Sequence, residues 1–173
     1  MNVRFYLVPA ALMLAQPAHA TIYLSIEQAQ SLMFKGASFT PDDRTLTDDQ
    51  VRAIEKASGV NVRSRTLKLW RVSTGGWFLV DEVVGKHDFI PFALGLDANG
   101  EVVGLEILEY REAYGDGVRD DGWRAQFLGK TNGDPVKLGG DIKNISGATL
   151  SSKHVTDGVR RLLVTYNIVI AHG

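Results

Sequence analysis

Apolar residues fall at helical spacing in Ile26-Glu27-Gln28-Ala29-Gln30-Ser31-Leu32-Met33-Phe34, with Ser25 placed as a cap and Gly36 beyond the end, which predicts a short helix. Thr47-Asp48-Asp49-Gln50 reads as a capping box ahead of Val51, Ile54 and Ala57, and Ser58-Gly59 supplies a stop, so a second helix is predicted there. From 66 to 84 the pattern changes to β-branched and aromatic residues, broken by Ser73-Thr74-Gly75-Gly76, which has the composition of a hairpin turn. Residues 89–96 and 101–110 are again strand-like, and Asp97-Ala98-Asn99-Gly100 between them tolerates the positive φ of a tight turn. Between 111 and 140 glycines and acids dominate, apart from Trp123, Phe127 and Leu128 at helical spacing, which predicts a loop region with one short helix. Val155, Val159, Leu162, Leu163, Tyr166 and Ile170 then mark one face of a closing helix that begins near Ser151 or Ser152, both good capping residues. Together these elements predict an α+β domain, an antiparallel sheet with packed helices.

The first residues change where this domain is expected to work. Arg4 precedes an apolar run from 5 to 15 that is shorter than the ~20 residues of a bilayer span. Ala18-His19-Ala20 then offers small residues to a signal peptidase, so residues 1–20 read as a secretory signal cleaved after Ala20, with an uncleaved anchor as the alternative. Residues 21–173 then form a single domain, expected to be periplasmic or otherwise exported. The chain contains no cysteine, which excludes a thiol relay, a Cys-ligated iron–sulfur cluster, c-type haem attachment and lipoprotein acylation. Any redox role needs an organic cofactor. The net charge is −1 and the 19 basic residues are scattered, so no polybasic block points to nucleic acid or anionic lipid.

The stretch that bears chemistry is Asp141-Ile142-Lys143-Asn144-Ile145-Ser146-Gly147-Ala148-Thr149-Leu150-Ser151-Ser152, which leads into the last helix. A helix start carries unpaired N–H groups and partial positive charge, so it stabilises a phosphate, and Gly147 and Ala148 leave room for its approach. Lys143 and Lys153 are placed to offset negative charge beside Thr149. On physical grounds alone, an ordinary capped helix entered through a glycine turn fits equally well.

Ser146-Gly147-Ala148-Thr149-Leu150-Ser151-Ser152 closely resembles the flavinylation motif of the FMN-binding domain family, whose members include the C subunit of sodium-translocating NADH:quinone reductase and the G subunit of the Rnf complex. The resemblance is strongest over residues 85–163, through Gly-Lys-His-Asp-Phe-Ile-Pro-Phe-Ala-Leu-Gly-Leu-Asp, Glu-Ile-Leu-Glu-Tyr-Arg-Glu-Ala-Tyr-Gly and Trp-Arg-Ala-Gln-Phe-Leu-Gly-Lys. It implies FMN joined by a phosphoester to Thr149, installed by a Mg-dependent flavin transferase that uses FAD, and an electron carrier rather than a catalyst. It implies redox partners, with a membrane electron-transport complex among the candidates. Ser146, Gly147, Ala148, Leu150, Ser151, Ser152 and Lys153 would surround the attachment point, and Asp141 matches an acidic position that precedes the threonine. Trp123 and Tyr114, with Tyr110 and Phe127, are candidates for stacking on the flavin or for the core. Glu112-Ala113-Tyr114-Gly115-Asp116-Gly117 departs from the Glu-Thr-Pro-Gly-Leu-Gly of the respiratory subunits, and the chain looks like a small freestanding member.

Three rival readings remain open at this point. Ser151 or Ser152 with His154 and Asp157 has the residue types of a hydrolase triad, without a nucleophile elbow. His87, Asp88 and His154 lack the spacing of a metal site. A scaffold or non-redox binding module of the same fold, without flavin, is the more serious alternative.

Overall fold

The structure is a computed structural model and describes residues 21–112 and 115–171. The expected signal segment and Tyr114 lie outside the described residues. Helices α1 (Ile26–Met33) and α2 (Asp48–Ser58) both open with a closed capping box, Ser25 with Gln28 and Thr47 with Gln50. Helix α2 stops at Gly59, whose φ of 68° places it in the left-handed region.

Short strands β1 (Thr21–Ile22), β2 (Phe39–Pro41) and β3 (Arg44–Thr45) accompany these helices. They are followed by β4 (Thr66–Val72), β5 (Trp77–Val84), β6 (Phe89–Leu96), β7 (Val102–Ile107) and β8 (Glu109–Tyr110). Strands β4 to β7 form an antiparallel meander whose β4 edge is extended by β2 and β3, while β1 pairs with β8. The short strands were not expected from the sequence, because two- and three-residue segments carry no readable alternation. The run expected over 101–110 divides at Leu108, whose N–H turns to the Pro91 carbonyl and whose carbonyl accepts from Tyr23 N.

Alternation along the strands separates two helical layers. Leu69, Leu79, Leu94 and Leu105 lie opposite one another in register across β4 to β7. They are buried in the core that also holds Ile54 of α2 and Val155, Val159, Leu162 and Leu163 of helix α4 (Thr149–Thr165). The next row, Trp70, Phe78, Gly95 and Gly104, faces α1. A Cβ on Gly104 would meet Met33 Cγ at 2.6 Å, so the two glycines are the seat on which α1 rests. Gly158 performs the same service inside α4, where a Cβ would lie 2.7 Å from Val83 Cγ1 and 3.0 Å from Phe92 Cζ.

Arginines lock α4 in place. Arg160 donates to the Ser58 carbonyl at the end of α2 (2.9 Å) and to Val136 O (3.0 Å), while buried Arg161 reaches Asn61 O (2.9 Å) and Asp81. Helix α4 continues through a π turn at Tyr166–Ile170. Between the sheet and α4 the chain forms a 3₁₀ turn (Asp116–Arg119), helix α3 (Asp121–Arg124) and a second 3₁₀ turn (Ala125–Phe127), where one short helix was expected.

Candidate functional site

The predicted motif folds as a turn that feeds directly into α4. Ala148 N donates to Ile145 O (3.1 Å), closing a turn around Ser146 and Gly147, and Gly147 adopts φ 82°. Nothing lies within 4 Å of where a Gly147 Cβ would stand, so the glycine serves the backbone conformation and leaves open space. Helix α4 starts at Thr149 with Ala148 as its cap, earlier than the expected start near Ser151 or Ser152. The two serines do not cap the helix because their hydroxyls are turned inward.

Ser151 is buried and shares a 2.8 Å hydrogen bond with the Tyr110 hydroxyl. Burial raises the Tyr110 phenol above its ordinary value, and the bond to Ser151 only partly opposes this. Ser152 is fully buried, with its hydroxyl 2.8 Å from Ala148 O and 3.0 Å from Asn144 Oδ1. The other face of the same amide meets Thr149, since Asn144 Nδ2 donates to Thr149 Oγ1 at 3.1 Å. Thr149 itself is exposed, as are Ser146, Gly147 and Leu150.

In contrast to α1 and α2, no side-chain hydrogen bond caps α4. The N–H groups of a first helical turn have no carbonyl partner within the helix, so this end presents donors and partial positive charge beside the Thr149 hydroxyl. Lys153, the cation expected to balance a phosphate, is paired with Asp157 at 2.6 Å. Lys143 is exposed.

Trp123 is buried and meets Phe127 edge-on, with ring centroids 5.1 Å apart. Its Nε1 donates to Lys143 O (2.8 Å), and Gln126 Oε1 accepts from Lys143 N (2.8 Å). Both backbone groups of the residue before Asn144 are thereby clamped by one short segment. The role visible for Trp123 is to hold the motif's approach, with its ring in the core.

Asp141 organises the loop before the motif, accepting from Lys137 N (2.7 Å) and Val136 N (3.2 Å) and pairing with Lys130 (2.9 Å). Partial burial works against its charge, but the Lys137 N–H and the Lys130 ammonium outweigh it and hold the carboxyl below the ordinary range. Glu112, at the head of the segment that departs from the respiratory subunits, accepts from the N–H groups of His87 (2.6 Å) and Asp88 (3.1 Å). These bonds overcome its desolvation and lower its pKa. They tie the β5–β6 loop to the segment that follows β8.

The rival constellations are not assembled. The hydroxyls of Ser151 and Ser152 meet Tyr110 and Asn144 instead of His154. His154 Nδ1 bonds the Val84 carbonyl, and Asp157 pairs with Lys153 and Arg160. Among the described residues no group of three or more His, Asp or Glu side chains is placed to hold a metal ion, and no helix is long and apolar enough to cross a membrane.

Asn144 and Gln126 are site residues that sequence reasoning missed. A polar residue in a loop carries no mark of its partner, and only the Asn144-to-Thr149 and Asn144-to-Ser152 contacts reveal this one.

The site is thus a glycine turn that opens an uncapped helix beside an exposed threonine, on an antiparallel α+β scaffold. Residues 85–164, a little under half of the chain, match the family model described as FMN-binding domain. Among curated proteins it is 32% identical over 81 residues to the G subunit of the Na(+)-translocating ferredoxin:NAD(+) oxidoreductase complex of Acetobacterium woodii, covering 42% of this chain and 39% of that protein. It is 29% identical over 94 residues to the G subunit of the ion-translocating oxidoreductase complex of Shewanella baltica, covering 48% of this chain and 44% of that protein. The matched stretch is thus less than half of either relative's length.

Proposed function

We propose that this protein is an exported electron-transfer flavoprotein whose FMN is joined by a phosphoester to Thr149. The observation that carries this reading is the exposed Thr149 hydroxyl at the uncapped start of α4, next to the open space over Gly147. The residues present fit the group. The first-turn N–H groups of α4 would hold phosphate oxygens, the glycine turn leaves room for them, and a surface hydroxyl is available for the ester.

A bound flavin supplies one- and two-electron chemistry. The chain's own part is to anchor it, orient it and keep the attachment rigid. Tyr110 with Ser151, and His154 with Val84 O, fix the first turns of α4 to the ends of β8 and β5. The anchor is therefore tied into the sheet rather than carried on a loop.

A flavin transferase using FAD is the proposed source of the ester. The resemblance to subunits of ion-translocating oxidoreductase complexes favours a membrane electron-transport complex as donor or acceptor. Export with cleavage after Ala20 would deliver residues 21–173 as the mature domain, where a covalent tether prevents loss of the cofactor.

Intact-protein mass spectrometry with peptide mapping tests this reading on protein made with and without a co-exported transferase. One FMN adduct on Thr149, appearing only with the transferase and absent from Thr149→Ala, is the expected result. An unmodified chain beside an active transferase would overturn it in favour of a binding module without flavin.

A further inference from the structure

We infer that Asn144 is the positioning residue for modification of Thr149, an inference that rests on the proposed attachment. The amide spans two hydroxyls. Nδ2 donates to Thr149 Oγ1 at 3.1 Å, and Oδ1 lies 3.0 Å from Oγ of fully buried Ser152. Thr149 is exposed, so without this contact its side chain would be free to change rotamer at the surface.

Asn144 is itself fixed from behind. Lys143 is gripped through its carbonyl by Trp123 Nε1 and through its N–H by Gln126 Oε1, both at 2.8 Å. Ile142, one residue earlier, is fully buried and donates to Lys137 O at 3.2 Å. A continuous line of contacts therefore runs from the core through Lys143 and Asn144 to the acceptor oxygen.

This arrangement suits a phosphoryl transfer. Thr149 Oγ1 forms a bond to the flavin-side phosphorus of a flavin dinucleotide. The pyrophosphate P–O bond breaks, with its electron pair leaving on AMP, and the hydroxyl proton passes to a base of the transferase; nothing is oxidised or reduced. The Asn144 N–H occupies one lone pair of Oγ1, which directs the hydroxyl proton elsewhere and leaves the second lone pair for attack. Holding one rotamer removes an orientational cost from the transfer step, and a nucleophile left free to wander slows such steps by on the order of tenfold or more.

The test is a time course of mass gain for the purified chain with transferase, saturating FAD and varied chain concentration. Asn144→Ala should lower kcat for loading about tenfold with little change in KM for the chain. Asn144→Asp keeps the acceptor for Ser152 but loses the donor to Thr149, so it should slow loading at least as much with melting temperature unchanged. Both variants loading at the wild-type rate, while the wild type is modified on Thr149, would overturn the positioning role alone. Slowing that appears only as a raised KM, or only with a lowered melting temperature, would overturn it as well. A wild-type chain that takes no flavin would overturn the attachment and this inference with it.

Discussion

Replacing Trp123 by Phe separates a structural tryptophan from one that stacks on flavin. The indole is 5% exposed, so the change removes buried apolar surface and the Nε1–H that holds Lys143 O at 2.8 Å. The lost hydrogen bond is worth about 1 kcal/mol. Trimming the ring leaves a partly relaxed void, worth another ~1–2 kcal/mol by comparison with the ~3–5 kcal/mol of complete Trp truncation. Together they predict a loss of about 2–3 kcal/mol, read as a lower urea midpoint by circular dichroism with unchanged slope. For a domain of this size that corresponds to a melting temperature lower by roughly 5–10 °C. The absorption spectrum of the loaded flavin should not change, because the ring packs in the core against Phe127. A stability change below about 0.5 kcal/mol, or a clear spectral shift at unchanged stability, would refute the reasoning.

Gly104→Val should cost about 1–3 kcal/mol by driving a side chain into Met33, and hydrogen exchange should show α1 losing protection before the sheet. Tyr110→Phe strands the Ser151 hydroxyl in a buried site and should cost ~1–3 kcal/mol in denaturant titrations; no loss would mean that Ser151 finds another partner. The Asp141 carboxyl titrates lower in the folded chain than in the unfolded one, so the unfolded state takes up its proton first as pH falls. Its stabilising effect is therefore complete above the ordinary aspartate range and lost as pH falls through the lowered native value. Asp141→Asn should flatten the acid limb of stability against pH, and an unchanged limb would count against this carboxylate.

The sequence was informative wherever one local rule decided the outcome. Both capping boxes formed at Ser25–Gln28 and Thr47–Gln50, and the turns at Gly75 and Gly100 carry the positive φ their residues tolerate. It was silent where the deciding partner is far along the chain. Strands β2 and β3 exist because β4 offers them an edge, and Gly95 and Gly104 matter because Met33 lies over both. The early start of α4 follows the same logic. Ser151 and Ser152 are good caps in isolation, but Tyr110 and Asn144 draw their hydroxyls inward and shift the helix start to Thr149.

That shift bears on how the proposed anchor works. A serine or threonine that capped α4 would spend its oxygen on the first-turn N–H groups, and an incoming phosphate would have to displace it. Here Ala148, whose methyl side chain offers no acceptor, occupies the cap and the nearby serines are committed elsewhere, so the donors and the Thr149 hydroxyl stay available on the same surface. Ala148→Ser tests this, because a serine at the cap should raise the stability of the unmodified chain by about 0.5–2 kcal/mol while slowing flavin loading. Faster loading, or loading unchanged in a chain that has become more stable, would mean that the open helix start has no part in receiving the phosphate.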